Sequence, residues 1–462
     1  MLTNFILLAQ AQHEVAVYLI IPFLLLIGMI ASGPVLFGHF WEHNYKKVAV
    51  TLGLTVLAYY LFVLQDQHMP IHTFFEYASF AILLSSLYIA AGGIYININA
   101  SATPAMNVAL MALGAVMANI IGTTGASLLL IRPFIRLNIH RIKSYQIVFF
   151  IFIVSNAGGL LTPLGDPPLF IGFLKGVPFF WTLQHLFVPW LLAIAALCLI
   201  FFVVDSRNKL SNYAPRPEVI AANEAKTEFY ISGKRNLLWL AIIIGAIFLD
   251  PNVIDGLPHI YYDGNKFSFL REIIQLTAAF LCYRNSDKTA LAGNHFTFGP
   301  ILEVVFLFFG IFFTMMPALQ LSAKIASSPE YSQYITPNFL YWATGSLSGF
   351  LDNAPTYANF LSLAMAKYDM AQNNVMEVRQ FATGTGLEPG TIILLEAISL
   401  ASVLFGAFTY IGNGPNFMVK AIAESAGIKM PSFFAYVFKY SIPFLLPVLI
   451  LIWYLVVELK LF

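Results

Sequence analysis

The sequence predicts an all-α polytopic membrane protein of two inverted repeats, each with three helices, a re-entrant hairpin and two further helices, one of them broken. Three observations carry this. Of the 462 residues, 59% are hydrophobic and 10% charged, against about 25% charged in an average soluble domain. Uncharged apolar runs of the ~20 residues needed to cross a ~30 Å hydrocarbon core recur along the chain, as at 15–37 and 186–204. Apolar stretches interrupted by Gly, Pro, Asn and Thr stand at matching places in the two halves. The runs are continuous, whereas β-barrel strands alternate apolar and polar residues in segments of about 10, so a barrel is excluded.

The first repeat spans 1–204. Helices are expected at 15–37, 47–64 and 74–93. Segment 103–131 is apolar, but its middle, Asn119-Ile-Ile-Gly-Thr-Thr-Gly-Ala-Ser127, brings two glycines and four hydroxyl or amide side chains into the run; it reads as a hairpin tip. A broken helix at 145–176 and a helix at 184–204 follow. Residues 205–235 hold six Lys or Arg and read as a cytoplasmic linker. The second repeat, 236–462, has helices at 236–250, 268–283 and 298–320, a hairpin at 337–366 around Gly345-Ser-Leu-Ser-Gly-Phe-Leu-Asp-Asn-Ala-Pro-Thr356, a broken helix at 390–425 and a last helix at 433–458. Residues 1–12 lack a basic start and the next apolar run is full length, so no cleaved signal peptide is expected.

Charge orients these pieces. Cytoplasmic loops are enriched in Lys and Arg, and the basic loops are 132–143, the linker and a smaller one at Lys46 and Lys47. Counting crossings then makes the first hairpin enter from the cytoplasmic side and the second from outside, with both termini outside. Many transporters build a midplane site this way, because irregular backbone at membrane depth is tolerated only where it lines a cavity or is buried in protein. The plainer alternative is that Gly and Pro kink ordinary spanning helices. The net charge of +1 gives no case for nucleic acid. Cys198 and Cys282 sit in apolar segments, which argues against a disulfide framework or a Cys/His metal spacing.

The chemistry-bearing residues fall in four clusters. Ser155-Asn-Ala-Gly-Gly-Leu-Leu-Thr-Pro-Leu-Gly-Asp-Pro-Pro168 cannot stay helical, because proline lacks the donor and clashes with the preceding turn. Freed carbonyls with Ser155, Asn156 and Thr162 would offer hard oxygen ligands, and Asp166 the charge. The matching Phe408-Thr-Tyr-Ile-Gly-Asn-Gly-Pro-Asn416 offers Thr409, Asn413 and Asn416. The hairpin tips offer Thr123 and Thr124 on one side and Ser348, Asp352, Asn353 and Thr356 on the other. Intramembrane acids are functional candidates, often for ions or protons. Burial favours the protonated form of such an acid and a bound cation favours the ionised form, so a proton and a cation compete for one site. That is sufficient for exchange if the carrier reorients with either ligand. The alternative role for both aspartates is capping a half-helix N-terminus. Glu303 and Glu396 are weaker candidates for a proton relay; Arg132 and Lys175 are expected to snorkel at segment ends; His39 and His43 lie beside the Lys46 loop.

On these residues the sequence resembles the ion transporter superfamily over nearly its whole length. Ser155-Asn-Ala-Gly-Gly159 with Thr162-Pro-Leu-Gly-Asp-Pro167, and Phe350-Leu-Asp-Asn-Ala-Pro-Thr356, are similar to NhaD-type sodium/proton antiporters and to a related citrate-transporter group. The resemblance implies ion binding at the hairpin tips and broken helices, falling on Thr123, Thr124, Asn156, Asp166, Asp352, Asn353, Thr409 and Asn413, with sodium on Asp166, Asp352, Asn156, Asn353 and Asn413. It also implies a scaffold and a transport part in elevator-like movement, a homodimer, and a bacterial inner membrane. Carboxylate carriers of the superfamily carry Ser-Asn-Thr at each tip, whereas this chain has Gly122-Thr-Thr-Gly125 and Asp352-Asn-Ala-Pro355, and a fixed acid would repel a carboxylate.

The expected function is therefore exchange of sodium or lithium for protons, with no enzymatic activity and no cofactor; the chain lacks the GxxxxGK[ST] phosphate loop of a built-in ATPase. The alternative is proton- or sodium-coupled transport of citrate, another dicarboxylate or an oxyanion such as arsenite, with half-helix N-termini facing the solute. A di-aspartyl protease would use two membrane acids as general acid and base, but its family's Gly-x-Gly-Asp is absent, since Pro163-Leu-Gly-Asp166 lacks the first glycine and Leu351 precedes Asp352. An ion channel is a further alternative.

Overall fold

The computed structural model describes residues 15–97, 102–208, 230–252, 254, 256–262, 265–386 and 390–461; the signal-peptide expectation at 1–12 and the middle of the linker lie outside these. The main helices are α1 (Ile21–Leu36), α2 (Gly38–Phe62), α3 (His68–Gly92), α4 (Pro104–Leu137), α5 (Ser144–Ile153), α6 (Pro167–Lys175), α7 (Trp181–Ser206), α8 (Lys234–Ile247), α9 (Leu270–Arg284), α10 (Gly299–Ala326), α11 (Pro337–Ser348), α12 (Asn353–Ala366), α13 (Val375–Thr383), α14 (Thr391–Phe405), α15 (Gly414–Ser425) and a composite α16 from Phe433 to Glu458. Two small antiparallel ribbons join Tyr95–Asn97 (β1) to Tyr230–Ser232 (β2) and His259–Tyr262 (β3) to Asn265–Ser268 (β4). Among the described residues, seven helical stretches are long and apolar enough to cross a membrane.

Three expectations change here. Lys46 and Lys47 are not a loop: they lie within α2, which starts at Gly38 because the chain bends only at Phe37 (φ −137°, ψ 40°). Helices α8 and α9 have 14 and 15 residues, so at 1.5 Å per residue each is about 21–23 Å long and too short to span alone. Asp205, expected to open the linker, belongs to α7 and is fully buried.

Both interrupted segments are hairpins. In α4 the hydrogen-bonded helix breaks at Gly122, whose φ of 78° and ψ of 155° glycine adopts without penalty. The side-chain amides of Asn107 and Asn138 exchange hydrogen bonds of 2.9 and 2.7 Å across 31 residues, a separation of about 46 Å along a straight helix, so the two arms fold back. In the second hairpin α11 and α12 flank a tip at 349–352, and Lys367 Nζ donates to Ile335 O at 2.7 Å to close the base. The two bases lie at opposite ends of α7. Asp205, at its C-terminal end, bonds Asn107 and Arg141 beside the first base. Trp181, at its N-terminal end, donates to Ala382 O on α13, after the second hairpin. The 26 residues of α7 put about 39 Å between those ends.

The helices sort into two groups. Helices α2 and α10, α3 and α9, and α3 and α8 pack together, one from each half. The hairpins pack on the broken helices, the first also on α7, and they meet the other group where α4 packs on α3 and α12 on α10. The broken helices form the centre: every residue of α5 from Gln146 to Ile153 is buried, as is α14 from Leu394 to Phe405. Helices apolar all round are buried ones.

Candidate functional site

Each hairpin tip is tied to the broken helix of its own half by the same two bonds at the same spacing. Thr162 Oγ1 donates to Asn119 O at 2.5 Å and Thr123 N to Gly165 O at 2.8 Å. In the second half Thr409 Oγ1 donates to Gly349 O at 2.6 Å and Asn353 N to Gly412 O at 3.2 Å. The matched segments read Thr162-x-x-Gly165-Asp166-Pro and Thr409-x-x-Gly412-Asn413-Gly. Each break also crosses over itself at two glycines. A Cβ on Gly165 would lie 2.0 Å from Gly159 O, and one on Gly412 2.6 Å from Gly406 O and 2.8 Å from Ser348 O. Gly165→Ala and Gly412→Ala are expected to abolish the folded peak in size-exclusion chromatography, while Gly414→Ala, whose Cβ would meet nothing within 4 Å, leaves it unchanged.

This doubled construction brings four segments to one carboxylate. Asp166, 1% exposed, stands at the N-terminus of α6 in extended conformation but makes no side-chain cap bond. Its Oδ1 accepts from Thr123 Oγ1 at 2.9 Å and Asn413 Nδ2 at 2.8 Å, and its Oδ2 from Asn353 Nδ2 at 2.6 Å. Thus each hairpin and the other broken helix contribute one neutral donor. Behind them, Asn413 Nδ2 also reaches Asn156 Oδ1 at 3.2 Å and Ser155 O at 3.3 Å, and Asn156 Nδ2 donates to Asn416 Oδ1 at 2.6 Å. Asn353 Oδ1 is buried without a partner.

The other expected site residues build the loops. Thr162 and Thr409 spend their hydroxyls on the tips as above; Ser348 Oγ donates to Ser402 O at 2.6 Å, and Thr356 Oγ1 to Asp352 O at 2.9 Å. Asn416 Nδ2 holds the carbonyls of Gly406 and Thr409, and Ser155 Oγ bonds Ser127 Oγ at 2.8 Å. For Asp352 the capping alternative holds: its Oδ1 accepts from Ala354 N at 3.0 Å. Thr124 lines a cavity.

That cavity, of about 700 Å³, lies between the two helix groups. One wall carries Trp41, Tyr45, Tyr88, Glu303 and Phe308; the other carries the first tip, Thr123, Asp352 and Asn413. Gly414, Phe417, Met418, Ala421, Ile422 and Ser425 of α15 all line it, a single helix face that carries it about 16 Å from the Asp166 cage. At the opposite end of α6 the groups are joined: Lys175 is buried in an ion pair with Glu76 of α3, 3.0 Å from each carboxylate oxygen, so it does not snorkel. Arg132 is half-buried and lines the cavity, with its Nη1 enclosed. Glu396 is buried beside His185 Nδ1 at 3.1 Å, and Glu303 faces the cavity. The sequence reading gave Arg132 a segment-end role, although its spacing from Gly125, Leu128 and Leu129 already put it on one helix face with them.

No curated protein matches the chain. Residues 12–457 match the model of the family described as "Putative citrate transport", part of the ion transporter superfamily. The shared chain-long pattern makes this a multi-pass membrane transporter, and the protein belongs to that family.

Proposed function

We propose that the protein is a secondary transporter in which a cation, sodium or a proton, binds at Asp166 and drives the movement of a small carboxylate held in the adjoining cavity. The observation that carries this is the convergence of four interrupted segments on one buried carboxylate at the end of a cavity of about 700 Å³. Neutral donors leave the charge of Asp166 to be balanced by a bound proton or cation. Turning the Asn353 amide by half a turn exchanges its N–H group for a carbonyl oxygen, which beside Asp166 offers a second hard oxygen for sodium; the unpartnered Asn353 Oδ1 supports that turn. The acid that would repel a carboxylate, Asp352, is engaged as a helix cap, where the positive end of the helix offsets its charge. The placement of the hairpin bases at opposite ends of α7 supports the inverted arrangement of the halves, and the cavity between the two helix groups supports elevator-like sliding of one against the other.

Exchange of sodium for protons is the second reading, favoured by the same cage, since it requires Asp166 alone. Proteoliposomes separate the two. An imposed sodium or proton gradient is expected to accumulate labelled citrate or succinate. If sodium or lithium moves protons and no carboxylate is accumulated, the exchange reading replaces the first.

A further inference from the structure

We infer that Arg132 is the residue that binds the solute's carboxylate, with the anion held between its guanidinium and the Thr123–Thr124 tip; this rests on the carboxylate reading. Gly125, Leu128, Leu129 and Arg132 all line the cavity from the second arm of α4, so the charge and the tip share one helix face. Arg132 Nη1 is buried with no hydrogen-bond partner, whereas about nine in ten buried polar groups are satisfied in native proteins.

Neighbouring cations show what a structural role looks like here. Arg136, one turn on, donates to Tyr95 Oη at 2.5 Å and Ile96 O at 3.3 Å. Arg141 pairs with Asp205, Arg271 with Glu272 and Lys175 with Glu76. Arg132, half-buried, lines the cavity instead, with Nη1 as its buried and unpartnered atom. Guanidinium is always charged and presents a fork of donors that matches a carboxylate in two parallel bonds.

The distance fits a small polycarboxylate. Nine residues separate Thr123 from Arg132, about 13 Å along the arm. Helical side chains lean towards the N-terminal end of their helix, here the tip, and the length of the arginine closes much of that gap. One carboxylate would meet Arg132 and the other end of the solute would meet the hydroxyls beside the Asp166 cage. Leu128, Leu129, Phe417 and Met418 supply apolar wall to the same cavity. Glu303, Asp352 and His295 line the same cavity, and among its described lining residues Arg132 is the one guanidinium that can take a carboxylate in two parallel bonds.

The test is calorimetric titration of the full-length protein in detergent with citrate, succinate and acetate at fixed sodium. The wild type is expected to bind citrate and succinate more tightly than acetate. Arg132→Gln should weaken that binding roughly 10- to 100-fold, and Arg132→Lys, which keeps the charge and loses the fork, should fall between. Equal binding by wild type and Arg132→Gln overturns the inference while the carboxylate reading stands; a wild type that binds none of the three removes the reading itself. If Arg132→Gln does not fold, the unaltered protein decides: citrate should protect Arg132 from phenylglyoxal in peptide mass spectra, and absence of protection overturns the inference.

Discussion

Asp166→Asn abolishes coupled transport and leaves the protein folded: that is the expected result with the largest effect. A cation 4 Å from a unit negative charge gains about 4 kcal/mol at an effective dielectric constant of 20, so neutralising the residue costs roughly a thousandfold in cation affinity. The cage itself survives for a reason visible in its bonds. An asparagine that keeps its carbonyl towards Thr123 and Asn413 turns its amide towards Asn353. Asn353 can then rotate and accept with the Oδ1 that has no partner in the present arrangement. Gradient-driven flux in proteoliposomes should fall to that of empty vesicles, with an unaltered size-exclusion profile. Undiminished flux would remove Asp166 from the mechanism.

Asp205→Ala is expected to destabilise the protein by about 3–5 kcal/mol, the cost of breaking a buried ion pair from one side. Asp205 is fully buried. Its carboxylate accepts from Tyr145 Oη at 2.5 Å, Gln146 Nε2 at 3.0 Å, Asn107 Nδ2 at 3.1 Å and Arg141 Nη1 at 3.0 Å. These four belong to the base of the first hairpin, the loop after it and the start of α5, so one acid locks the hairpin to α5 and α7. Alanine leaves the Arg141 charge buried with only the carbonyls of Ala102 and residue 205. The melting midpoint in detergent should drop by several degrees, and Asp205→Leu combined with Arg141→Met should recover most of the loss, because no charge is then stranded. A drop in the double variant as large as in the single one would show that the packing, not the ion pair, matters.

Much of the architecture could be read in the chain because its causes are local. An apolar run either is or is not long enough to cross hydrocarbon, and Pro163, Pro167 and Pro168 stop a helix whatever surrounds them. The hairpins, the breaks and the candidacy of Asp166, Asn353 and Asn413 follow from such local facts. A hairpin followed by a broken helix recurs in both halves for the same reason, and α13 between them is found in the second half alone among the described residues.

Residue type states how many hydrogen bonds a side chain can make but not with whom. Thr162, Thr409, Ser348 and Thr356 read as ion ligands; packing decided where each hydroxyl proton goes, to a nearby carbonyl, which ties the loops together and leaves the oxygen lone pairs unspent. Asp166 and Asp352 looked equivalent; packing put three side-chain donors on the first and a helix N-terminus under the second. Lys175, Arg132 and Asp205 looked like segment-end charges meant for water. Tertiary packing gave Lys175 the carboxylate of Glu76, 99 residues away, gave Asp205 a ring of four donors, and left Arg132 on a cavity wall. The sequence by itself determined that the chain is built of apolar helices and where two of them break, since those depend on neighbours along the chain. Only the tertiary structure decided that Asn413, 247 residues from Asp166, would complete its cage, because that choice depends on how four separate segments pack.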